Sequence, residues 1–410
     1  MDRLISEERV LALILAGGRG SRLGPLTDDC SKPALPFGKL NVISFVISNC
    51  VNSKIIDHAY VLTQYKQQGI IEILAKLDPE SPLWGKFIRP LPAQQMRGTD
   101  WYLGSGDACH QNRELIANDP AEFVLVAAAD HVYKCDYRGM LAALIGAEAD
   151  VIVSGMFMDV HEAAGKFGVM VVDFETNRIR AFKEKPAHPK PVRDNKCVAS
   201  QGFYIFRKEI LLAALDADHR DNSSDHDFGK DILPEMLKTN KVIFYDHATN
   251  VIKNEKGSYW RDVGDVDAYH AAMMDLVAID PILSVYNKAW PIIPIWDYEP
   301  MYKANELGHS NNADYQFMAA GGSVTTKARC VYMVVLGRAV YLEENCAVVD
   351  SILFDNVSVG RDASLNRTIV KKGIVIPPGC VIGQSIEDDD DRQIFISEGG
   401  IRVVHDESRL

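Results

Sequence analysis

The chain has 410 residues, of which 47% are hydrophobic and 24% are charged, with a formal net charge of −12. This length predicts two domains, or one large domain and one small one. The negative charge argues against a nucleic-acid or anionic-membrane partner, because such partners are bound by basic surfaces. No apolar run approaches membrane-spanning length, and the N-terminus MDRLISEERV lacks a signal-peptide core. The eight cysteines are scattered and form no CxxC pair, which indicates reduced thiols and therefore a cytoplasmic protein.

Strand-like and helical patterns alternate through the first two thirds of the chain. Apolar runs at 10–16, 59–62, 123–129 and 151–156 predict strands, and the segments 69–77 and 140–147 predict helices. Such alternation is typical of an α/β fold with a doubly wound, mostly parallel sheet. Ligands of these folds bind beyond the carboxyl ends of the strands, so the loops after residues 16 and 129 are the first candidates for a site.

A glycine-rich loop, Gly17 to Arg22, follows the first predicted strand. Glycines let the backbone approach a ligand closely and present its N–H groups to phosphate oxygens. The two arginines of the loop and Lys32 add positive charge, which suits a polyphosphate. An ordinary glycine turn with exposed basic side chains is the alternative. The loop is neither a GxGxxG fingerprint nor a P-loop.

The full pattern LAGGRGSRL…SKPALPFG resembles the signature of the sugar-nucleotide pyrophosphorylases, most closely the ADP-glucose pyrophosphorylases. The segments PAQQ, WYLGSGDA, EKP, ASQG, DFGKD and WRDVG follow in an order similar to that of the family. Each segment alone fits a turn, a helix cap or a solvated strand end, so the resemblance depends on their order. Ser105-Gly106 replaces the usual Thr-Ala, and Ala129 stands where the family more often has glycine.

The resemblance implies adenylyl transfer from ATP to α-D-glucose 1-phosphate, which gives ADP-glucose and pyrophosphate for glycogen synthesis. It also implies a Rossmann-like nucleotidyltransferase domain. One alternative is the same chemistry with another nucleotide or sugar phosphate. The other is a weakly catalytic regulatory paralogue. The presence of six charged residues argues against it: Arg19, Arg22, Lys32, Asp130, Lys185 and Asp262.

The same resemblance assigns roles to individual residues. Asp130 and Asp262 would bind Mg²⁺, a cation that needs only one or two protein carboxylates beside substrate phosphates. The catalytic residues would be Arg22, Lys32 and Asp130, acting by positioning and charge neutralisation without a protein nucleophile. The substrate-binding residues would be Gly17, Gly18, Arg19, Gln95 and Tyr102 with Gly104 for the nucleotide, and Gly168, Glu184, Lys185 and Ser200 for the sugar phosphate.

The last third has a different composition. Four prolines between 281 and 300 indicate a linker, and branched or small residues then recur at a six-residue step at Val357, Ala363, Ile369, Val375 and Val381. This step is the hexapeptide signature of a parallel β-helix, here expected to be left-handed, with a generic β domain as the alternative. We therefore predict a catalytic domain at 1–285, a linker at 286–320 and a β-helix domain at 321–410. Stacked repeats and the family's usual homotetramers predict a homotetramer.

Two acidic features complete the predictions. The run Glu387 to Asp391 suggests a solvated loop. Basic residues that the family commonly carries at an allosteric effector cleft are replaced here at Asp29, Cys30, Asn41, Ile56 and Asp57. A weak or atypical response to phosphorylated effectors is the expectation, unless Lys39, Lys54 or Lys66 rebuilds the cleft.

Overall fold

The computed structural model describes residues 9–76, 87–94, 101–293, 302–306, 315–319, 324–325 and 328–410. The chain divides into two compact units. Unit one comprises Met1–Gly18, Val46–Ala129 and Lys134–Lys253, and unit two comprises Arg19–Phe45, Asp130–Tyr133 and Asn254–Leu410. The domain limits at residues 285 and 320 stay a prediction.

Strands are numbered in chain order through both units. The first thirteen are β1 (Val10–Ala16), β2 (Pro36–Phe37), β3 (Leu40–Asn41), β4 (Ile56–Thr63), β5 (Phe87–Pro92), β6 (Phe123–Ala128), β7 (His131–Tyr133), β8 (Val151–Asp159), β9 (Val169–Asp173), β10 (Arg178–Lys183), β11 (Lys196–Arg207), β12 (Val242–Asp246) and β13 (Trp260–Asp262).

Unit one is built on a nine-stranded sheet of order β5-β4-β1-β6-β11-β8-β12-β10-β9. Its first four strands are parallel, and β1 lies between β4 and β6 with Leu13 opposite Tyr60 and Val126. The continuous apolar run of β1 suits this central position, since a strand covered on both faces has no polar side. The next strand, β11, lies between β6 and β8 and is antiparallel to both. The predicted α/β fold class is confirmed.

Helices flank this sheet at the predicted places. The helix Tyr137–Gly146 buries Tyr137, Met140, Leu141 and Leu144, whose spacing is that of one helical face, and Asp136 caps its first turn. No helix in the described ranges is long and apolar enough to cross a membrane. The helices before residue 260 are Ile43–Ser53, Gln68–Ala75, Ser105–Gln111, Arg113–Asn118, Tyr137–Gly146, Val160–Ala163, Lys208–Asp218 and Leu233–Thr239, with a π-helix at Phe228–Ile232 and 3-10 turns at Ser21–Thr27, Lys32–Ala34 and His247–Thr249.

Unit two contains the helices Val266–Val277 and Ile386–Asp391, a 3-10 turn at Glu407–Arg409 and short strands. These strands are β14 (Tyr302–Glu306), β15 (Tyr315–Ala319), β16 (Val324–Thr325), β17 (Cys330–Leu336), β18 (Tyr341–Leu342), β19 (Ala347–Leu353), β20 (Ser358–Val359), β21 (Ser364–Asn366), β22 (Thr368–Val370), β23 (Val375–Ile376), β24 (Val381–Ile382), β25 (Phe395–Ile396) and β26 (Arg402–Val404).

The β-helix of unit two advances by a coil of 17 residues. Val331 of β17 pairs with Val348 of β19, and Val348 pairs with Leu365 of β21. The backbone amide of Arg338 likewise donates to the Asp355 carboxylate, 17 residues further along the chain. Strands of successive coils run parallel, which confirms the predicted β-helix.

The six-residue step does not stay on the inside of the β-helix. Val357, Ala363 and Ile369 are buried, but Val375 and Val381 are 48% and 37% exposed. Ile374, one residue before Val375, is buried instead. Three six-residue steps span 18 residues, whereas the coil has 17. The position that faces inward therefore comes one residue earlier in each new coil than a strict six-residue step would place it.

The predicted acidic loop is also wrong, because Glu387 to Asp391 lies in the helix Ile386–Asp391. Asp389 is fully buried, and its Oδ2 accepts hydrogen bonds from Nε of Arg402 at 2.9 Å and from the Gly383 amide at 3.0 Å. Arg402 is itself buried and donates to the Gly400 carbonyl. Charge composition alone does not reveal that one aspartate of the run has a buried arginine partner.

We expect Asp389→Ala to lower the thermal midpoint sharply, because loss of one partner from a buried ion pair costs about 3–5 kcal/mol. Asp390→Ala is the matched control, since Asp390 is an exposed neighbour in the same helix and a surface change stays within about 0.5 kcal/mol. Equal midpoints for the two variants, measured by circular dichroism, would contradict a stabilising role for the Asp389–Arg402 pair.

Candidate active site

The two carboxylates predicted to bind a metal lie at one end of a two-stranded antiparallel ribbon in unit two. β7 pairs with β13 so that His131 lies opposite Asp262. Asp130 directly precedes β7, so the ribbon fixes both carboxylates at the same end. Trp260 is buried and packs its indole on the imidazole of His131, with ring centroids 4.9 Å apart.

Lys32 joins the two carboxylates. Its Nζ lies 2.9 Å from Oδ2 of Asp130 and 2.8 Å from Oδ1 of Asp262. The 3-10 turn Lys32–Ala34 carries this lysine, and Nδ2 of Asn41 donates to the Ala34 carbonyl at 2.8 Å. The Lys32 side chain is only 6% exposed, so its charge acts where water screens it weakly.

Lys32 and Asp130 stabilise each other's charged forms. Burial alone would raise the pKa of Asp130, but the positive charge of Lys32, followed by that of His131, outweighs burial and holds this pKa well below its usual range. For Lys32, burial would lower the pKa, yet Asp130 and Asp262 raise it above the ordinary lysine value. Electrostatic attraction therefore holds the lysine against the carboxylates.

The donor set fits a divalent cation. Asp130, His131 and Asp262 present potential ligand atoms within 4.8 Å of one another. Two carboxylates are the protein ligands that Mg²⁺ ordinarily takes beside phosphate oxygens. The Nε2 atom of His131 lies 3.5 Å from Asp130 Oδ1 and 3.9 Å from Asp262 Oδ1. His131 was not predicted, although it directly follows Asp130 in the sequence.

Arg22 lies beside the turn that follows Asp262. A Cβ at Gly264 would be 3.0 Å from Nη2 of Arg22 and 2.6 Å from Oδ2 of Asp262. Both charged groups thus lie close to Gly264, and a side chain there would displace them. Gly264 is the last residue of the WRDVG segment, but no role was predicted for it from the sequence. Arg19 is exposed on the loop that precedes the turn Ser21–Thr27.

The first two loop glycines belong to unit one. Gly17 is half-buried and Gly18 is exposed where the chain leaves β1. No atom of the described residues lies within 4 Å of a Cβ placed at Gly18. Packing in the described part of unit one therefore does not explain glycine at that position.

The predicted nucleotide loop is anchored by Gln64. The amide of Tyr102 donates to Oε1 of Gln64 at 2.8 Å, and the Tyr102 hydroxyl accepts from Nδ2 of Asn112 at 3.0 Å. Gly104 precedes the helix Ser105–Gln111. Gln95 lies outside the described residues.

The four residues predicted to bind the sugar phosphate lie together in unit one. The Ser200 amide donates to the Gly168 carbonyl at 2.8 Å. Oε2 of Glu184 lies so close to Gly168 that a Cβ there would be 2.9 Å away, and Oε1 pairs with Nζ of Lys185 at 3.0 Å. Lys185 is half-exposed and has a φ of 41°, a strained backbone conformation of the kind that collects at functional sites.

Two further residues surround Glu184. Burial raises the pKa of Tyr204, a hydrogen bond with Ser200 opposes that rise, and the charges of Glu184 and Asp227 add to it, so the phenol stays protonated at neutral pH. The Asp227 carboxylate accepts from the amides of Gly229 and Lys230. The DFGKD motif marked Asp227 in the sequence, whereas nothing there singled out Tyr204.

A second group of potential metal ligands, Asp107, His110 and His219, does not fit a metal ion as well. The imidazoles of His110 and His219 are stacked, 3.9 Å apart and inclined by 24°. A metal lies in the plane of each imidazole that binds it, and two nearly parallel planes do not meet near these rings.

The two acidic residues of the predicted effector region each have a basic partner in their own unit. Asp29 pairs with Lys371, whose Nζ also donates to the Pro25 carbonyl at 3.0 Å. Asp57 pairs with Arg9 at 2.6 Å. These partners offset the repulsion that the two carboxylates would exert on an anion, and the weak effector response stays a prediction.

The chain matches the nucleotidyl transferase family over residues 11–278 and the GlmU-like C-terminal hexapeptide family over residues 304–404. The glucose-1-phosphate adenylyltransferase of Paramagnetospirillum magneticum is 40% identical over 98% of this chain and 94% of its own length. The enzymes of that name from Teredinibacter turnerae and Aliivibrio fischeri are 39% and 40% identical over 96% of this chain, and over 94% and 97% of their own lengths.

Proposed function

The chain belongs to the nucleotidyl transferase family and, within it, to the glucose-1-phosphate adenylyltransferases, and we propose that it transfers the adenylyl group of ATP to α-D-glucose 1-phosphate. The products are ADP-glucose and pyrophosphate, and the reaction supplies activated glucose for glycogen synthesis. The observation that carries this proposal is the convergence of Lys32, Asp130 and Asp262.

The reaction needs no protein nucleophile. A phosphate oxygen of glucose 1-phosphate attacks the α-phosphorus of ATP, and the bond from that phosphorus to the β-phosphate oxygen breaks. Pyrophosphate leaves with the electron pair of that bond. The protein contributes by orienting the two phosphates and by neutralising their charge, which is the main way that phosphoryl-type transfers are catalysed.

Enzymes of this family use nucleoside triphosphates, typically with a divalent metal. Asp130 and Asp262 are the residues that would hold Mg²⁺, and the bound cation would neutralise charge on the phosphate oxygens. Lys32, placed between these carboxylates, is the cation of the chain itself that would act on the reacting phosphates. Arg22 and the amides of Gly17 and Gly18 would bind the departing phosphates.

The sugar phosphate would be bound by residues of unit one. Lys185 would anchor its phosphate, since the ammonium is half-exposed and free to rotate away from Glu184. Glu184, close to Gly168, would accept hydrogen bonds from sugar hydroxyls. Tyr204, which hydrogen-bonds with Ser200 and feels the charge of Glu184, would line the same site.

We further propose a cytoplasmic homotetramer assembled through the β-helix. The exposed Val375 and Val381, six residues apart in one coil, offer apolar side chains for such contacts. A monomer in light scattering at micromolar concentration would contradict this assembly.

Pyrophosphate release with a panel of nucleotides and sugar phosphates tests the proposed reaction. We expect ATP with glucose 1-phosphate to give the highest kcat/KM. A preference for UTP, GTP or dTTP, or for another sugar 1-phosphate, would support the alternative of a different pyrophosphorylase. No release with any pair would support the weakly catalytic paralogue.

We expect Asp130→Asn and Asp262→Asn each to lower kcat at least about 10²-fold, the scale of losing an electrostatic contact to the transition state. Each should also weaken binding of Mn²⁺, measured by electron paramagnetic resonance in the absence of turnover. Asp390→Asn is the control, because Asp390 is exposed in the helix Ile386–Asp391. Near-normal kcat at saturating Mg²⁺, or unchanged Mn²⁺ affinity, would remove that aspartate from the metal site.

We expect Lys185→Gln mainly to raise the KM for glucose 1-phosphate, because a charge-assisted contact contributes about 1.5–3 kcal/mol in ground and transition states alike. Lys183→Gln is the matched control, since Lys183 is an exposed lysine of the same segment, two residues earlier. A rise in the KM for ATP alone would place Lys185 elsewhere.

A further inference from the structure

The hydroxyl of Ser105 joins two distant segments of unit one. It donates to Oδ2 of Asp227 at 2.9 Å and accepts from the amide of Phe228 at 2.9 Å. Phe228 is buried, so the hydroxyl satisfies an amide at a position from which water is largely excluded. Ser105 begins the helix that follows the predicted nucleotide loop, and Phe228 begins the π-helix Phe228–Ile232.

The backbones on either side of this hydroxyl are in direct contact. The Gly106 amide donates to the His226 carbonyl at 2.7 Å. A Cβ at Gly104 would lie 2.3 Å from that same carbonyl oxygen, so no side chain fits there. The end of the nucleotide loop therefore cannot move away from residues 226–228 without breaking the bonds of Ser105.

The other side of the π-helix reaches the predicted sugar site. Oδ1 of Asp227 accepts from the amides of Gly229 and Lys230 at 2.9 and 3.0 Å, which sets the first turn of the π-helix. A Cβ at Gly229 would lie 2.4 Å from Oε2 of Glu184. The first turn is thus in contact with the carboxylate proposed to bind sugar hydroxyls, and single π-helical turns are frequent at functional sites.

We propose that Ser105 is a positioning residue that couples the nucleotide loop to Glu184, so that the loop and the sugar-binding carboxylate are ordered together. The connection runs from Gly104 and Ser105 through Asp227 to Gly229 and ends on Glu184. This coupling rests on the proposed function, because that function defines which substrate meets each end. By linkage, a substrate that orders one end improves the binding of the substrate at the other.

The kinetic test compares Ser105→Ala with Ser105→Thr, which keeps the hydroxyl. Ser223→Ala is the control, because Ser223 is an exposed serine that also bonds to an aspartate, Asp221. We expect Ser105→Ala to raise the KM for glucose 1-phosphate about tenfold, the scale of a lost hydrogen bond to a charged group, with a much smaller change in kcat. Ser105→Thr should restore the KM, and Ser223→Ala should leave it unchanged.

Amide hydrogen exchange of residues 226–232 gives a second readout that needs no substrate. We expect faster exchange in Ser105→Ala than in the parent protein, and no change in Ser105→Thr or Ser223→Ala. A rise in the KM for ATP alone, no change in either KM, or unchanged exchange in Ser105→Ala would overturn the coupling. Failure of the parent protein to release pyrophosphate would overturn the proposed function instead, and the exchange data would still decide whether Ser105 orders the π-helix.

Discussion

The ammonium of Lys32 holds Asp130 and Asp262 together, and the proposed chemistry depends on this contact. Two carboxylates at one site repel each other, and a cation between them offsets that repulsion. Lys32 is 98 residues from Asp130 and 230 residues from Asp262 along the chain. In unit two, the ribbon of β7 and β13 positions the two carboxylates, and the turn Lys32–Ala34 positions the ammonium. Together they bring the three charges within hydrogen-bonding distance.

A second constraint applies in unit one, where two glycines leave room for the Glu184 carboxylate. A Cβ at either Gly168 or Gly229 would meet Oε2 of Glu184. Lys185 pairs with the other carboxylate oxygen at 3.0 Å. A side chain at residue 168 or 229 would therefore displace this carboxylate from its place beside Lys185.

The sequence predicted the α/β fold and the β-helix, because apolar runs and repeats are local patterns, and the family resemblance assigned Asp130 and Asp262 to one metal site. It did not predict contacts that arise only on folding. Val375 and Val381 belong to the six-residue step but face outward, because the coil has 17 residues and not 18. Asp389 is buried because of a partner, Arg402, that lies beyond the acidic run. His131 was overlooked because its importance follows from the strand register opposite Asp262.

Anomalous scattering of Mn²⁺ in crystals of the protein with a non-hydrolysable ATP analogue tests the proposed metal site most directly. We expect one peak at coordinating distance from both Asp130 and Asp262, with the Lys32 ammonium turned toward phosphate oxygens. A peak bound by other residues, for example Asp107 and His110, with no density between Asp130 and Asp262, would contradict it.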